Sequence, residues 1–219
     1  QGWAKEKDMQ FAGLTWHSVV AEASDYLTPL LDPKNEALEL ATLKQRVATV
    51  RRIRRPVTPL AVPLKDGLTV NDMVDRTARV RFDADGSGEL KSWSWISPDA
   101  AWLVYDQKQS GRITSALQLF GNVTFWLFWE NGYQALATLD DNGDERLVGS
   151  ELRHLALWRD SNCNGISDLG EVTSLSAEGI VELSCKYTEK NQSDNYRAMS
   201  PNGVKFNDGR VRRTFDIIL

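Results

Sequence analysis

The chain has 219 residues and a formal net charge of -4, with 42% hydrophobic and 26% charged residues. This composition indicates a soluble globular protein, and it excludes a strongly basic nucleic-acid binder or a charge-rich disordered chain. The longest apolar runs, such as residues 123–129, are far shorter than the roughly 20 residues of a membrane-spanning helix, so no membrane span is expected. The chain begins at Gln1 without an initiator Met, which suggests that a signal peptide has been removed and that the protein is exported.

The first 55 residues show apolar side chains at helical spacing. One stripe runs through residues 15–32 and a second through residues 40–50, and Pro56 should end the second helix. Arginines crowd the end of this second helix, where cations suit the helix dipole, and we interpret them as a solvated face. The sequence therefore predicts a helical N-terminal segment.

A proline-rich stretch follows, with Pro56, Pro59 and Pro63 before Gly67. Proline at this density disfavours both a helix and a central strand, which predicts a linker. Beyond it, short β-like runs ("ARVRF", "WLVY", "IVELS", "RTFDIIL") alternate with short helices and polar loops, and an Asp-Gly pair predicts a hairpin at residues 206–211. We predict an α+β fold: a helical N-terminal segment and linker at residues 1–66, then a mixed domain of short strands, short helices and polar loops at residues 67–219.

Four related loops carry oxygen-bearing side chains at alternate positions, beginning at Asp83, Asp106, Asp140 and Asp160. Calcium binds six to eight oxygens, and a 12-residue loop supplies them from positions 1, 3 and 5, the carbonyl of position 7, position 9 and a bidentate Glu at position 12. Two of the four loops fit this template with Glu at position 12. Their candidate ligands are Asp140, Asn142, Asp144, the carbonyl of Arg146 and Glu151 in one loop, and Asp160, Asn162, Asn164, the carbonyl of Ile166, Asp168 and Glu171 in the other.

The two good loops differ at position 6, where glycine eases a sharp turn. The Asp160 loop has Gly165 there, whereas the Asp140 loop has Glu145, which would cost about 1 kcal/mol in a left-handed conformation. All candidate ligands are hard oxygens, so Ca²⁺ is favoured over zinc or copper, and Mg²⁺ is disfavoured because it dehydrates reluctantly. We expect two calcium ions.

The other two loops depart from the template. The Asp83 loop has Ser94 at position 12 and therefore lacks the bidentate carboxylate, which leaves at most weak binding. The Asp106 loop has Lys108 at position 3, and our hypothesis is that this ammonium takes the place of the metal.

The spacing of the two good loops predicts that residues 150–158 form one short helix shared between them. Such a helix leaves little room for the reorientation that opens a peptide groove in sensor proteins. The ions are therefore expected to act as structural staples that stabilise the native state.

Two further features leave alternatives open. Cys163 and Cys185 could form a disulfide or remain two free buried thiols. Several large aromatic residues could form a sugar-binding platform, but we favour a core role for them. They are Trp93, Trp95, Trp102, Phe125, Trp126, Phe128 and Trp129.

From about residue 79 to residue 183 the chain resembles the EF-hand-like region of secreted bacterial hemolysin-type calcium-binding proteins. The matching stretches are "FDADGSGELKSWSWISPDAAWLVYD", "GRITSALQLFG", "GYQALATLDDNGD", "LALWRDSNCNGISDLGEV" and "LSAEGIVELS". The resemblance implies a secreted or periplasmic calcium-binding module, and it places calcium-ligand roles on the residues of the two good loops. Lys108 stands where the family usually has Asn, and Gln118 where it usually has Glu.

Three functions remain compatible with the sequence. The first is a calcium-stabilised exported module with a binding or structural role. The second is an interaction protein that docks a protein partner through its N-terminal helices. The third is a glycan-active enzyme, although no nucleophile elbow, phosphate loop or zinc-hydrolase motif is present in the sequence.

Overall fold

An antiparallel β-sheet organises the chain from Pro56 onward. The computed structural model describes residues 56–127, 129–189 and 195–219. The strands are β1 (Leu60–Pro63), β2 (Val74–Phe82), β3 (Lys91–Ile96), β4 (Ala100–Tyr105), β5 (Arg146–Val148), β6 (Leu155–Trp158), β7 (Val172–Ser174), β8 (Ile180–Ser184), β9 (Thr188–Glu189), β10 (Tyr196–Phe206) and β11 (Val211–Ile217). Short helices intervene: α1 (Val70–Met73), α2 (Gly132–Leu136) and 3-10 turns at Ala116–Gln118, Thr124–Trp126, Ala137–Leu139 and Gly149–Leu152.

Nine strands form the main sheet, in the order β5-β8-β10-β11-β1-β4-β6-β7, with β9 paired to β10. Strands β2 and β3 form a separate hairpin. Every pairing between these strands is antiparallel.

The prediction of an α+β fold is therefore wrong for the described residues, which form mainly antiparallel sheet with a few short helical turns. The predicted N-terminal helices lie outside the described residues. The error is clearest at residues 150–158, predicted as a shared helix: the chain makes a 3-10 turn at Gly149–Leu152 and then strand β6, which pairs with β4 and β7. A short apolar run such as "LALW" cannot be assigned to helix or strand by periodicity alone, and here pairing on both edges decides.

The proline-rich stretch contains a central strand. β1 is buried along its whole length between β11 and β4. Pro59 precedes the strand and Pro63 ends it, so the missing proline N–H groups fall at its ends, and Leu60 N donates to Phe120 O at 2.6 Å. Residues 60–63 are thus part of the sheet and not a linker, while the two-part division of the chain stays a prediction because residues 1–55 lie outside the described part.

Both faces of the sheet are buried, which explains the continuous apolar runs. On β4, Trp102 and Val104 face one core, and Leu103 faces the other. The β2–β3 hairpin covers the first face and α2 contributes to covering the second.

Tryptophans dominate the first core, as predicted for Trp93, Trp95 and Trp102, which are all buried. The Trp95 ring meets those of Phe82, Trp102 and Trp158 edge-on at centroid distances of 5.3, 5.7 and 5.7 Å. This is the favourable geometry for aromatic pairs.

The predicted hairpin at residues 206–211 is confirmed. It joins β10 to β11, with Phe206 N donating to Arg210 O at 2.9 Å. Gly209 supplies the positive φ, 87°, that the turn requires.

Among the described residues, none of the helices has the length and apolar character needed to cross a membrane.

Asp216, on β11, is a buried carboxyl group. It is fully buried, and its Oδ1 accepts a hydrogen bond from Gly132 N at 3.0 Å, whereas Oδ2 has no partner among the described residues. Burial raises the pKa of this carboxyl well above its usual value.

The raised pKa of Asp216 predicts a specific dependence of stability on pH. As the pH rises, the unfolded chain releases this proton first, so the free energy of unfolding falls between the ordinary aspartate pKa and the raised one. The Asp216→Asn variant lacks this loss, so we expect it to gain stability relative to the unsubstituted chain as the pH rises from about 4, the ordinary aspartate pKa, toward the raised pKa. Urea unfolding of both proteins across this range measures the difference, and a gap that does not change with pH contradicts the assignment.

Candidate metal centres

The first carboxylate of each good loop is held by backbone N–H groups of its own loop. Asp160 Oδ1 accepts from Asn164 N at 3.1 Å, and Oδ2 accepts from Gly165 N at 2.7 Å. In the other loop, Asp140 Oδ2 accepts from Glu145 N at 2.7 Å and Oδ1 accepts from Asp144 N at 3.3 Å. Both loops thus fix the position-1 carboxylate with the N–H groups of positions 5 and 6.

The carboxylate of the position-12 glutamate accepts two backbone hydrogen bonds in each loop. Glu171 Oε1 accepts from Ser161 N at 2.7 Å and Oε2 from Asp168 N at 3.1 Å. Glu151 Oε1 accepts from Asp141 N at 3.0 Å and Oε2 from Val148 N at 2.9 Å. These donors are positions 2 and 9 in both loops, so the position-12 carboxylate connects the end of each loop to its start.

The intermediate positions repeat as well. Asn142 and Asn162, at position 3, each accept from the N–H of position 5, at 2.9 and 3.1 Å. Asp144 and Asn164, at position 5, each accept from the N–H of position 7, at 2.9 and 2.7 Å. The position-7 donors are Arg146 and Ile166, the two residues predicted to offer backbone carbonyls.

In the Asp160 loop, the candidate ligand side chains meet one another. Asp168 Oδ2 accepts from Asn162 Nδ2 at 2.9 Å and from Asn164 Nδ2 at 3.0 Å. The side chains of positions 3 and 5 therefore each lie within hydrogen-bond distance of position 9, with their amide nitrogens facing the carboxylate.

No group of three or more His, Cys, Asp or Glu side chains suited to a metal occurs within the described ranges. The proposed ligand sets also include asparagine amides and a backbone carbonyl, which are ordinary oxygen donors to calcium.

The two loops differ in how they join the core. Asp160 is fully buried, and its Oδ2 also accepts a hydrogen bond from the Trp95 indole at 2.6 Å. Burial raises the pKa of the Asp160 carboxyl, and the hydrogen bonds from Gly165, Asn164 and Trp95 oppose that rise. By contrast, Asp140 is half-buried and Asn142 and Asp144 are exposed. The role of Trp95 was missed in the sequence because the two residues lie 65 positions apart.

Position 6 is left-handed in both loops, with φ of 75° at Gly165 and 65° at Glu145. The predicted strain at Glu145 is therefore present. Gly165 has a second constraint, because a Cβ there would lie 2.6 Å from Val80 Cγ1 and 2.9 Å from Arg81 O. The loop backbone thus lies directly against β2.

Strands flank the Asp160 loop, since β6 precedes it and β7 begins at its end. The helix predicted before this loop, at residues 150–158, is absent, and a strand also follows the loop. The connection is a strand-loop-strand unit whose ends are fixed in the sheet.

The Asp106 loop has the same hydrogen bonds to its first carboxylate, but its other contacts differ from those of the two good loops. Asp106 accepts from Ser110 N and Gly111 N at 3.1 and 2.7 Å, the same positions 5 and 6. Gln118 Oε1 accepts from Thr114 N at 2.9 Å, and its Nε2 donates to Arg112 O at 3.1 Å, the position-7 carbonyl. The Gln118 amide N–H thus engages the Arg112 carbonyl oxygen, which the template would assign to a metal. Lys108 is exposed, and the described part of the chain shows no ion pair between it and Asp106, so Gln118 is the residue that fills this loop.

The two cysteines are free thiols. Cys163 packs against the first core and Cys185 belongs to the second, on the other face of the sheet. Burial raises the pKa of Cys185 to about 12, so this thiol is not ionised near neutral pH.

The contact between Gly165 and β2 predicts unequal effects of two alanine substitutions in one loop. Gly165→Ala and Gly170→Ala both place alanine at positive φ, but an added Cβ at Gly170 has nothing within 4 Å. Each should cost about 1–2 kcal/mol of backbone strain, and Gly165→Ala should lose about 1–3 kcal/mol more from overpacking. Urea unfolding in chelator measures both, and equal losses contradict the close approach of the loop to β2.

Comparison with known proteins agrees with the extent of this fold. Residues 64–219 match the SPM domain. The chain is also 31% identical over 169 residues to iron-regulated protein FrpA of Neisseria meningitidis serogroup C, an alignment that covers 74% of this chain and 15% of that relative. The chain therefore spans a small part of the relative's length. Since the domain match extends over most of the chain, this protein belongs to the SPM domain family.

Proposed function

We propose that the Asp140 and Asp160 loops each bind one Ca²⁺ ion, and that these ions act as structural staples of an exported module with a binding or structural role. The observation that carries the proposal is the repeated hydrogen-bond frame. Two stretches of different sequence fix carboxylates at positions 1 and 12 with the same backbone N–H groups.

Charge supports a divalent cation in these loops. The candidate ligands include three carboxylates in each loop: Asp140, Asp144 and Glu151 in one, and Asp160, Asp168 and Glu171 in the other. Carboxylates within one short loop repel one another, and a cation bound among them would offset that repulsion. The ligands are oxygens only, which favours calcium.

The surroundings of the loops support a structural role. The Asp160 loop links β6 to β7, and positions 7 to 9 of the Asp140 loop form β5, which pairs with β8. An ion in the Asp160 loop would fix a connection between two strands of one sheet. The Asp140 loop is flanked by short helical turns, at Ala137–Leu139 and Gly149–Leu152, which are too short to act as a reorienting helix. Binding to the native state alone adds folding stability.

Export is part of the proposal. Left-handed strain at Glu145 is expected to weaken the Asp140 site, and extracellular modules bind calcium with Kd values of about 10⁻⁴–10⁻³ M. Such affinity suits the calcium concentration outside cells better than that inside. The resemblance to secreted hemolysin-type proteins supports the same location.

The two alternatives gain no support from the described residues. Docking through N-terminal helices concerns residues 1–55, which lie outside them. The glycan-active enzyme also lacks an observation in its favour: an aromatic platform that could hold a sugar is disfavoured, because Trp93, Trp95 and Trp102 are buried.

We predict that each position-12 glutamate controls one ion. After chelator treatment, isothermal titration with calcium should show two sites, and Glu151→Gln or Glu171→Gln should weaken one of them by about tenfold or more, because a bidentate carboxylate is lost. Glu130→Gln is the matched control, since Glu130 is exposed and lies outside the loops. No calcium binding in the millimolar range by the unsubstituted protein would refute the proposal.

We also predict that calcium raises the melting temperature. One ion at about 100 times its Kd adds about 2.7 kcal/mol to the free energy of unfolding. Differential scanning calorimetry with excess calcium and with chelator should show this gain, and magnesium at the same concentration should give less. An equal effect of both ions would argue against a calcium-shaped site.

A further inference from the structure

The Asp83 loop is built on the same frame as the two good loops. Asp85 Oδ1 accepts from Ser87 N, and Ser87 Oγ accepts from Glu89 N, both at 3.3 Å. These are the contacts of positions 3 and 5 in the Asp160 loop. Asp83 is only 6% exposed, and its Oδ1 has no hydrogen-bond partner in the part of the chain that the structure describes.

Lysine occupies position 9 of this loop. The Lys91 ammonium forms an ion pair with Asp85 Oδ2. In the Asp160 loop, the same position is Asp168, a candidate calcium ligand. The sign of the charge at position 9 is therefore reversed, and an ammonium lies where a ligand of the cation would otherwise stand.

This ion pair differs from a surface salt bridge. The side chains of Lys91 and Asp85 are 13% and 9% exposed, whereas those of Lys65 and Asp99, another pair, are 65% and 38% exposed. Exposed pairs contribute little, but breaking a buried pair leaves an uncompensated charge and is costly. A calcium ion entering the Asp83 loop would have to displace this ammonium.

We propose that the Lys91 ammonium is the resident cation of the Asp83 loop. The loop has the oxygen pattern of a calcium loop but closes without metal, and replacing Lys91 by a carboxylate is expected to admit one weakly bound calcium ion, because Ser94 still leaves position 12 without a carboxylate. The choice of calcium as the ion rests on the proposed function of the two related loops. The chain consequently binds two ions and not three.

The position of the loop gives this substitution a role. It joins β2 to β3, the hairpin that carries Trp93 and Trp95 over the first core. A built-in ammonium closes this hairpin at any calcium concentration. This face of the core is therefore covered whether or not calcium is bound in the other loops.

The test compares Lys91→Asp with Lys65→Asp, the same change in an exposed ion pair. Lys91→Asp restores the position-9 carboxylate of the Asp160 loop. We expect it to bind one calcium ion more than the unsubstituted protein by isothermal titration, and crystals soaked in calcium should show an anomalous peak beside Asp85. Lys65→Asp should bind the same number as the unsubstituted protein.

Thermal unfolding gives a second readout. In chelator, Lys91→Asp should melt at a lower temperature than the unsubstituted protein, and calcium should raise its melting temperature by more than it raises that of Lys65→Asp. An unchanged ion count in folded Lys91→Asp overturns the proposal. If that variant does not fold in chelator or in calcium, the Asp85→Asn variant is used instead. A loop that holds no metal predicts that Asp85→Asn binds as many calcium ions as the unsubstituted protein. Loss of one ion in Asp85→Asn refutes the assignment.

The inference and the proposed function fail separately. No calcium in the unsubstituted protein removes the proposed function, whereas the difference in ion count between Lys91→Asp and the unsubstituted protein tests the inference.

Discussion

The hydrogen bond from the Trp95 indole to the Asp160 carboxylate joins the core to the loops. A carboxylate buried without partners would be costly, and Asp160 is tolerated because an indole N–H and two backbone N–H groups surround it. The indole is itself fixed by edge-on contacts with three other aromatic rings. Packing of the Trp95 ring in the core thus positions the Asp160 carboxylate, the first residue of the loop.

The same frame serves four loops with different chemistry. Two have a position-12 glutamate and an excess of negative charge, one has the Lys91 ammonium, and one has the Gln118 amide on the position-7 carbonyl. Backbone N–H groups of positions 5 and 6 hold the first carboxylate in at least three of them. The frame is a property of the Asx-rich turn, while the group that completes each loop, such as the Lys91 ammonium or the neutral Gln118 amide, is set by one or two side chains.

Several features followed directly from the sequence, because they depend on local chemistry. Alternating oxygen side chains identified the loops, the Asp-Gly pair identified the β10–β11 hairpin, and the size of the tryptophans indicated core positions. Strands β1 and β6 were missed because their assignment depends on partners distant in sequence: β1 pairs with β11, and β6 pairs with β4. The parts played by Trp95, Lys91 and Gln118 were missed for a related reason, since each is defined by the group it meets. Lys91 at position 9 was nevertheless visible as a charge of the wrong sign for a ligand.

The close approach of Gly165 to Val80 and Arg81 has a thermodynamic consequence. The Asp160 loop cannot change shape without moving against β2. Packing of the β2–β3 hairpin on the sheet and binding of a cation in the loop would therefore be coupled by a single interaction free energy. Such coupling is reciprocal: whatever tightens the hairpin on the sheet would tighten the hold on the proposed calcium ion by the same factor. Residues of β2 that never touch that ion would thereby influence its affinity.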